Sequence, residues 1–357
     1  MKSSRYDLGF KRYSEGIKSE INIPLDRIAR VIAQHKELYI IKDDNSEYSA
    51  QITGKMMFEA TSSEDYPAVG DWLVIEIIDS NQAIIKQVLP RMTYLKRKAI
   101  RKKGNSQIIA SNIDKAIIVQ ALGRDYSLNR FERYVVIARQ AKIDPILVLN
   151  KIDLITEQEL SDKILELKDR FVEIEFLTTS TVSKYGIDSL NNLIKEGLTY
   201  CFLGSSGVGK SSLINTLLGK AQIKTCQISD YSSRGKHITT HRQLFVLESG
   251  GILIDNPGMR ELGLTDSSNG LNITFDEIKK LSDKCQFVDC THIHEPGCAV
   301  LEALEAKELS KDKYNNYIKL KKETDFYEMN SLERKKKDKA FGKFCKNVMK
   351  HKKKEKY

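Results

Sequence analysis

Residues 204–211 read GSSGVGKS and follow the apolar run TYCFL. Glycines let backbone N–H groups curl around an anion, because no side chain blocks its approach. A lysine and a hydroxyl that close such a run neutralise the β- and γ-phosphates of a nucleotide and ligate Mg²⁺. A strand pattern precedes the run and a helix pattern follows it, so we predict a phosphate loop. Its contact residues are Gly204, Ser205, Ser206, Gly207, Val208, Gly209, Lys210, Ser211 and Ser212.

A second motif, NKID, follows the apolar strand pattern ILVL and ends at Asp153. An ionised Asp153 can accept two N–H donors from the Watson–Crick edge of guanine, whereas adenine presents a lone pair there. Asn150 can reach the major-groove edge of the base, and the stem of Lys151 can cover its flat face. Ser180 and Thr181 are predicted to support this guanine loop, although a simple polar turn would have the same composition.

A third motif, DNPG, ends the strand pattern GILID. We expect Asp255 to hold Mg²⁺ through a water and the Gly258 N–H to contact the γ-phosphate. Either Thr239 or Thr240, in the polar stretch before this strand, is expected to ligate Mg²⁺ only while the γ-phosphate is present. That stretch would then order and relax with the state of the nucleotide.

The group that orients the attacking water is not identified by the sequence. Ras-like GTPases have a glutamine directly after the last glycine of the third motif, and Met259 stands there in this chain. His237 and His241 are nearby imidazoles that can make hydrogen bonds at neutral pH. An equally simple reading places both histidines on the loop surface or against a partner. Because Met259 cannot orient the water, we expect slow intrinsic hydrolysis, and a partner that orders the loop would accelerate turnover.

The three motifs occur in an unusual order along the chain. The base-reading motif comes first, the phosphate loop second and the DNPG motif last, whereas GTPases usually begin with the phosphate loop. This order is a circular permutation, which the fold tolerates because chain ends lie close together in compact domains. The segment after Asp255 then leads directly into a cysteine-rich region.

The cysteine-rich region has the spacing of a metal site, C-x₄-C-x-H-x₅-C, at Cys285, Cys290, His292 and Cys298. Three thiolates and an imidazole fill a tetrahedral Zn²⁺ shell and leave no open position. We therefore predict one structural zinc ion per chain. His294 is an alternative ligand that the spacing does not exclude.

Composition gives the broad class of the protein. The chain has 357 residues, 41% apolar and 30% charged, which is ordinary for a soluble protein of two or three domains. It has no apolar run of 18 residues and no apolar stretch near its first residue, so we expect a cytoplasmic protein without membrane association. We also expect a monomer. The net charge is +10, of which +9 lies in residues 331–357. That tail is either solvated or contacts nucleic acid.

The patterning along the chain predicts a multidomain α/β protein. Short alternating runs from about 24 to 95 predict an OB-like β-barrel, and the basic strip from Arg91 to Lys103 favours RNA as its ligand over no ligand at all. Strands alternate with helices from about 110 to 275, which predicts a doubly wound sheet. We assign residues 1–22 to a polar N-terminal segment and residues 23–97 to the barrel. Residues 98–275 form the permuted nucleotide domain in this assignment. Residues 276–330 form a helical zinc-binding domain, and residues 331–357 form a basic tail.

Together these motifs resemble those of the ribosome small subunit-dependent GTPase A (RsgA) family over roughly residues 24–330. The stretches that carry the resemblance are VGDW, ASNIDKAIIVQAL, YSLNRFERYVVIARQAKIDPILVLNKIDL, GSSGVGKSSLIN, GKHITTHRQL, DNPGMRELGL and DCTHIHEPGCAV. Two departures are Ile238, where the family usually has another threonine, and Asn256, where threonine or serine is usual. Ile238 makes the choice between Thr239 and Thr240 harder.

The resemblance implies an activity and partners. It implies zinc on the four residues named above, and Mg²⁺-dependent hydrolysis of GTP to GDP and phosphate, stimulated by the small ribosomal subunit. It also implies a role in late maturation of that subunit. We predict that the protein acts there as a switch, in which the GTP form binds the subunit and its rRNA and hydrolysis releases it. Two alternatives stay open from the residues themselves, namely an RNA-binding module with incidental hydrolysis and an ATP-driven enzyme.

Overall fold

The computed structural model describes residues 8–17, 24–35, 38–98, 106–123, 126–221, 223, 242–255 and 269–328. The chain divides into two compact units, Met1–Gly263 and Leu264–Tyr357. Within the described ranges, no helix is both long enough and apolar enough to cross a bilayer.

The first unit begins with a short helix and a closed β-barrel. The helix is α1 (Phe10–Gly16). The barrel strands are β1 (Ile28–His35), β2 (Leu38–Lys42), β3 (Glu47–Ile52), β4 (Trp72–Ile77) and β5 (Gln82–Val88), with α2 (Gly54–Glu59) between β3 and β4. The strand order β1-β2-β3-β5-β4 is closed by pairing of β1 with β4. The predicted OB-like barrel is confirmed.

Helix α1 lies in the polar segment 1–22, in which the sequence predicts no element. It nevertheless buries Phe10 and Tyr13. Their rings lie 4.9 and 5.6 Å from the ring of Trp72 on β4. Two aromatic side chains at helical spacing are enough to dock a short polar helix on an apolar face.

A two-stranded ribbon follows the barrel and uses part of the basic strip. Strands β6 (Tyr94–Lys98) and β7 (Ser106–Ser111) pair antiparallel. The Lys96 Nζ lies 2.7 Å from a Glu64 carboxylate oxygen, and the Arg91 guanidinium lies 2.7 Å from the buried carboxylate of Asp71. These two basic side chains are therefore paired with barrel carboxylates, so their charge does not by itself indicate an RNA surface. Residues 99–103 of the strip lie outside the described residues.

The rest of the first unit is the predicted sheet with its helices. The strands are β8 (Lys115–Ala121), β9 (Asp144–Asn150), β10 (Phe176–Thr179), β11 (Thr199–Leu203), β12 (Arg242–Val246) and β13 (Ile252–Asp255). The helices are α3 (Leu128–Gln140), α4 (Glu157–Arg170), α5 (Ile187–Leu193) and α6 (Lys210–Leu217). The order is β10-β9-β8-β11-β13-β12, and every neighbouring pair is parallel except β12 with β13.

This topology brings the predicted motifs to one edge of the sheet. Strand β11 consists of five consecutive buried residues, as expected where helices cover both faces of a parallel sheet. The NKID motif lies at the end of β9, and the supporting turn follows β10. The phosphate loop follows β11, and Asp255 is the last residue of β13. The carboxyl edge of a doubly wound sheet is where such folds bind ligands.

The barrel and the nucleotide sheet are continuous, which the sequence did not indicate. Strand β1 pairs antiparallel with β12, with Ala33 opposite Gln243 and Gln34 opposite Arg242. Among the described residues this pairing makes one sheet of eleven strands. The barrel is thus bonded to the strand that directly follows the stretch containing Thr239 and Thr240.

Arg30 on β1 ties the barrel to the nucleotide sheet. Its side chain is almost fully buried and donates to four oxygens in four segments of the chain: the carbonyls of Leu8, Gly70 and Asn112 and the hydroxyl of Thr199. Burial lowers the pKa of Arg30 to about 10. The guanidinium suits this position because its planar donors point in several fixed directions.

The second unit is helical in its described part. Its helices are α7 (Asn269–Thr274), α8 (Asp276–Ser282), α9 (Ala299–Glu305) and α10 (Lys311–Glu328). The rings of Phe275 and Tyr317 pack edge to face, with centroids 5.5 Å apart. The segment between α8 and α9 carries the four predicted metal ligands.

Candidate nucleotide site and candidate metal centre

The phosphate loop has the backbone that its glycines predict. Gly204, Gly207 and Gly209 have φ angles of 143°, 84° and 98°, a region that side chains rarely adopt. A Cβ atom at Gly204 would lie 2.3 Å from the Val119 carbonyl oxygen. One at Gly209 would lie 2.3 Å from the amide nitrogen of Asn150. The glycines therefore permit both the turn and its close packing on β8 and β9.

Lys210 is the first residue of α6 and folds back over the loop. Its ammonium donates to the carbonyl oxygens of Gly204 and Ser205, at 2.8 and 2.7 Å. The cation is thus held over the space that the loop encloses. A helix N-terminus and an ammonium at one place form an anion-binding site.

Asp255 closes β13 on the same edge of the sheet. Its side chain is 5% exposed, and burial raises the pKa of the carboxyl while the charge of Lys210 opposes that rise. The two charges therefore lie close enough to interact. A buried carboxylate and the partly buried Ser211 hydroxyl are hard oxygen donors of the kind that Mg²⁺ takes.

The base-reading motif presents one exposed carboxylate. Lys151 has a left-handed φ of 61°, and Asp153 follows in a 3₁₀ turn, Ile152–Leu154. The Ser180 hydroxyl donates to one Asp153 oxygen and accepts from the backbone N–H groups of Val182 and Ser183. These bonds fix Asp153 while its side chain faces solvent. The supporting role expected for Ser180 fits this arrangement.

Asn150 and Lys151 join the base-reading loop to the phosphate loop. The Asn150 amide nitrogen donates to the Val208 carbonyl at 2.9 Å, and the Lys151 ammonium donates to the Gly207 carbonyl at 2.8 Å. Asn150 is fully buried, so its amide holds the two loops together rather than standing free for a base. Its nitrogen carries a second hydrogen, and the predicted contact with the base edge remains a prediction.

Thr179 was not among the predicted site residues. Its buried hydroxyl donates to the Asn150 carbonyl oxygen at 3.0 Å, which fixes which end of that amide faces Val208. Thr179 lies directly opposite Asn150 in the parallel pairing of β10 with β9. The sequence did carry one signal for Thr179: the strand patterns of β9 and β10 each end in a side chain that can hydrogen-bond, Asn150 and Thr179.

Several predicted residues lie outside the described part of the chain. They are His237, Thr239, Thr240, His241, Gly258 and Met259. The basic tail at 331–357 also lies outside it. Thr181 and Ser212 are partly buried beside the two loops.

The four predicted metal ligands converge in the second unit. Their ligand atoms all lie within 4.8 Å of one another. The Cys285 and Cys298 sulfurs are 3.9 Å apart, and the His292 Nδ1 lies 3.6 and 3.5 Å from them. Zinc bond lengths give tetrahedral edges of about 3.8 Å between sulfurs and about 3.6 Å from sulfur to nitrogen. The donor set and its spacing therefore fit Zn²⁺, and the alternative ligand His294 is not one of the four.

Other residues hold the metal segment in place. Burial lowers the pKa of His292, which favours the neutral imidazole that a metal requires. The Tyr314 hydroxyl on α10 donates to the His292 carbonyl at 2.6 Å. The Glu295 carboxylate accepts from the Thr291 hydroxyl and from the backbone N–H groups of residues 291, 293 and 294. The bond from Thr291 holds the pKa of Glu295 well below its usual range.

Comparison with known proteins places this geometry in a family. The RsgA GTPase family model matches residues 88–265. The small ribosomal subunit biogenesis GTPase RsgA 2 of Lactiplantibacillus plantarum is 41% identical over 317 residues, which cover 88% of this chain and 89% of that protein. RsgA 1 of Bacteroides thetaiotaomicron is 39% identical over 324 residues, 90% of each chain.

The chain belongs to the RsgA GTPase family. It is a GTPase, and the family that its motifs resembled is confirmed. The crystal structure of YjeQ from Thermotoga maritima aligns with a TM-score of 0.62 and 26% identity over 82% of this chain and 96% of that one. YloQ, described as a circularly permuted GTPase, has the same fold with a TM-score of 0.61. The circular permutation inferred from the motif order is therefore confirmed as well.

Proposed function

We propose that this GTPase is a switch in late maturation of the small ribosomal subunit. Its GTP form binds the immature subunit and its rRNA, and subunit-stimulated hydrolysis releases it. The names of its relatives in Lactiplantibacillus plantarum and Bacteroides thetaiotaomicron support the process. The site at the carboxyl edge of the sheet supports the nucleotide. The process implies a cytoplasmic location, and we expect a monomer.

One observation carries the nucleotide assignment: the Asn150 amide bridges to the Val208 carbonyl. This bond joins the base-reading loop to the phosphate loop at 2.9 Å, although the two residues are 58 positions apart. A loop that suits guanine and a loop that suits phosphates thus belong to a single site. Asp153 reads the base, the Lys151 stem covers it, and Lys210 with the loop N–H groups holds the phosphates.

Mg²⁺ would be held by Ser211, by Asp255 through a water, and by Thr239 or Thr240. When bound, the ion neutralises charge that develops on the phosphates. The chain's own part is to enclose the phosphates and to present Lys210 to them. Gly258 contacts the γ-phosphate in this proposal, so its segment and the threonine segment respond to hydrolysis.

His237 or His241 orients the attacking water, or a group of the subunit does. Turnover of His237→Ala and His241→Ala separates these cases. If one of these histidines orients the water, its replacement by alanine should lower turnover both with and without subunits. If neither substitution changes subunit-stimulated turnover, the orienting group belongs to the subunit.

Sedimentation with purified small subunits tests the switch. The chain should sediment with subunits in a non-hydrolysable GTP analogue and remain in the supernatant in GDP. Equal sedimentation in both nucleotides would contradict the switch and favour the alternative, an RNA-binding module with incidental hydrolysis. Met259 is consistent with this alternative, since a methionine side chain cannot orient the attacking water.

A further inference from the structure

The metal segment exposes large apolar side chains. Val288 is fully exposed, and Phe287 and Ile293 are each 44% exposed. We call these three residues the knuckle surface. Phe287 and Val288 lie between the ligands Cys285 and Cys290, and Ile293 directly follows His292. Because these ligands converge on one point, the three apolar residues belong to one small region of the unit.

The backbone beneath the knuckle surface is held in place. The Cys290 N–H donates to the Phe287 carbonyl at 3.3 Å. The Ile293 N–H donates to the Glu295 carboxylate at 3.0 Å. Apolar side chains on a fixed backbone lose little conformational entropy on binding a partner, which is the property of an anchor residue.

The chain around the knuckle surface carries a net negative charge. Residues 283–298 contain Asp283, Asp289 and Glu295 against Lys284, a formal net charge of −2. Asp283, Lys284 and Asp289 are exposed, and Asp283 pairs with Lys279. Nucleic-acid surfaces on proteins are positive, because they must displace counterions from phosphates. An apolar and acidic surface instead complements a basic protein surface.

We infer that the knuckle surface binds a basic protein, rather than rRNA, when the GTPase is on the small ribosomal subunit. This inference rests on the proposed function. It assigns the zinc-binding unit a contact with a basic protein of the subunit, in which Val288 and Phe287 enter an apolar recess and the acidic rim faces Lys and Arg side chains.

Photo-crosslinking on the full chain tests this assignment. Val288→p-benzoylphenylalanine is compared with Val172→p-benzoylphenylalanine, since Val172 is also highly exposed but lies in the first unit. Both proteins are irradiated with purified small subunits and a non-hydrolysable GTP analogue. The adducts are then digested with ribonuclease or with protease. We expect a 288 adduct that survives ribonuclease, contains a basic ribosomal protein and exceeds the 172 adduct.

Other adducts overturn the inference. These are an adduct at 288 with rRNA, an adduct with this chain itself, or a yield no higher than at 172. Val288→Asp should also weaken subunit binding about ten-fold, the loss typical of an anchor residue, and Val172→Asp should leave it unchanged. If the unsubstituted chain does not sediment with subunits, the proposed function fails first. If it sediments but position 288 contacts only RNA, the knuckle assignment alone fails.

Discussion

In the proposed site, guanine recognition depends on how one exposed carboxylate is held. Asp153 accepts a hydrogen bond from Ser180, whose hydroxyl is in turn held by two backbone N–H groups. The carboxylate thus has a fixed position before any base arrives. A fixed acceptor discriminates between bases because the wrong base leaves it unpaired.

Asp153→Asn should weaken GTP binding about 10- to 100-fold, since a charged hydrogen-bond acceptor is lost. ATP binding should not change, so the preference for GTP shrinks. Competition between labelled GTP and unlabelled ATP measures this effect. Asp169→Asn, on the exposed face of α4, is the matched control and should behave as the unsubstituted chain. An unaltered GTP preference in Asp153→Asn would mean that Asp153 does not read the base.

Thr179→Val should leave the buried side-chain oxygen of Asn150, Oδ1, without its donor from Thr179. We expect the free energy of unfolding to fall by about 1–3 kcal/mol, the cost of an unpaired buried polar group. GTP affinity should fall as well, because Asn150 then positions the phosphate loop less well. Urea denaturation and nucleotide binding measure the two effects. Thr179→Ser keeps the hydroxyl and should recover most of the affinity; a full loss in Thr179→Ser would contradict this role.

At the scale of elements, the metal segment supplements the buried apolar side chains of the second unit, among them Phe275, Ile278 and Val300. Helices α8 and α9 are seven residues each, too short to be stable alone. Between them the chain runs through turns that the four ligands and Glu295 hold. A metal bound there would contribute its binding free energy to the folding of this unit.

Metal removal should therefore unfold the second unit and leave the first folded. With a strong chelator we expect loss of helical circular dichroism, new protease cleavage within residues 269–328 and unchanged GTP binding. Zn²⁺ added back should restore the protection. The prediction of a structural metal would be contradicted if a sample shown by metal analysis to contain no zinc were still protected from protease.

The elements themselves could largely be predicted from the sequence. Alternating runs predicted the barrel strands, and continuous apolar runs predicted β8, β9 and β11. Motif residues could be predicted because their chemistry demands particular types at particular spacing. Thr179 and Glu295 were missed because their roles depend on neighbours that the fold supplies. The helix α1 was missed because two aromatic residues dock an otherwise polar segment.

At the scale of the whole first unit, the pairing of β1 with β12 was beyond prediction. Within the described ranges two residue pairs make it, and they join parts of the chain about two hundred residues apart. Arg30 was equally hidden, because an arginine in a barrel strand is usually read as a surface residue. Its four acceptors come from segments that local patterning cannot bring together.

Arg30→Lys should separate the barrel from the nucleotide sheet. Lysine keeps the charge, but its single nitrogen cannot reach acceptors in several directions. We expect the free energy of unfolding to fall by about 3 kcal/mol and the melting transition of the first unit to broaden or split. Differential scanning calorimetry measures both. Arg12→Lys is the control, since the Arg12 side chain is 55% exposed and its guanidinium pairs with Asp114 at 3.3 Å.

GTP turnover with and without purified small ribosomal subunits tests the central claim most directly. The account predicts slow hydrolysis by the chain alone and at least a hundred-fold increase with small subunits, on the order of what activating partners achieve for other GTPases. Large subunits and ATP in place of GTP should give no increase. Turnover that small subunits leave unchanged, or that proceeds equally well with ATP, would contradict it.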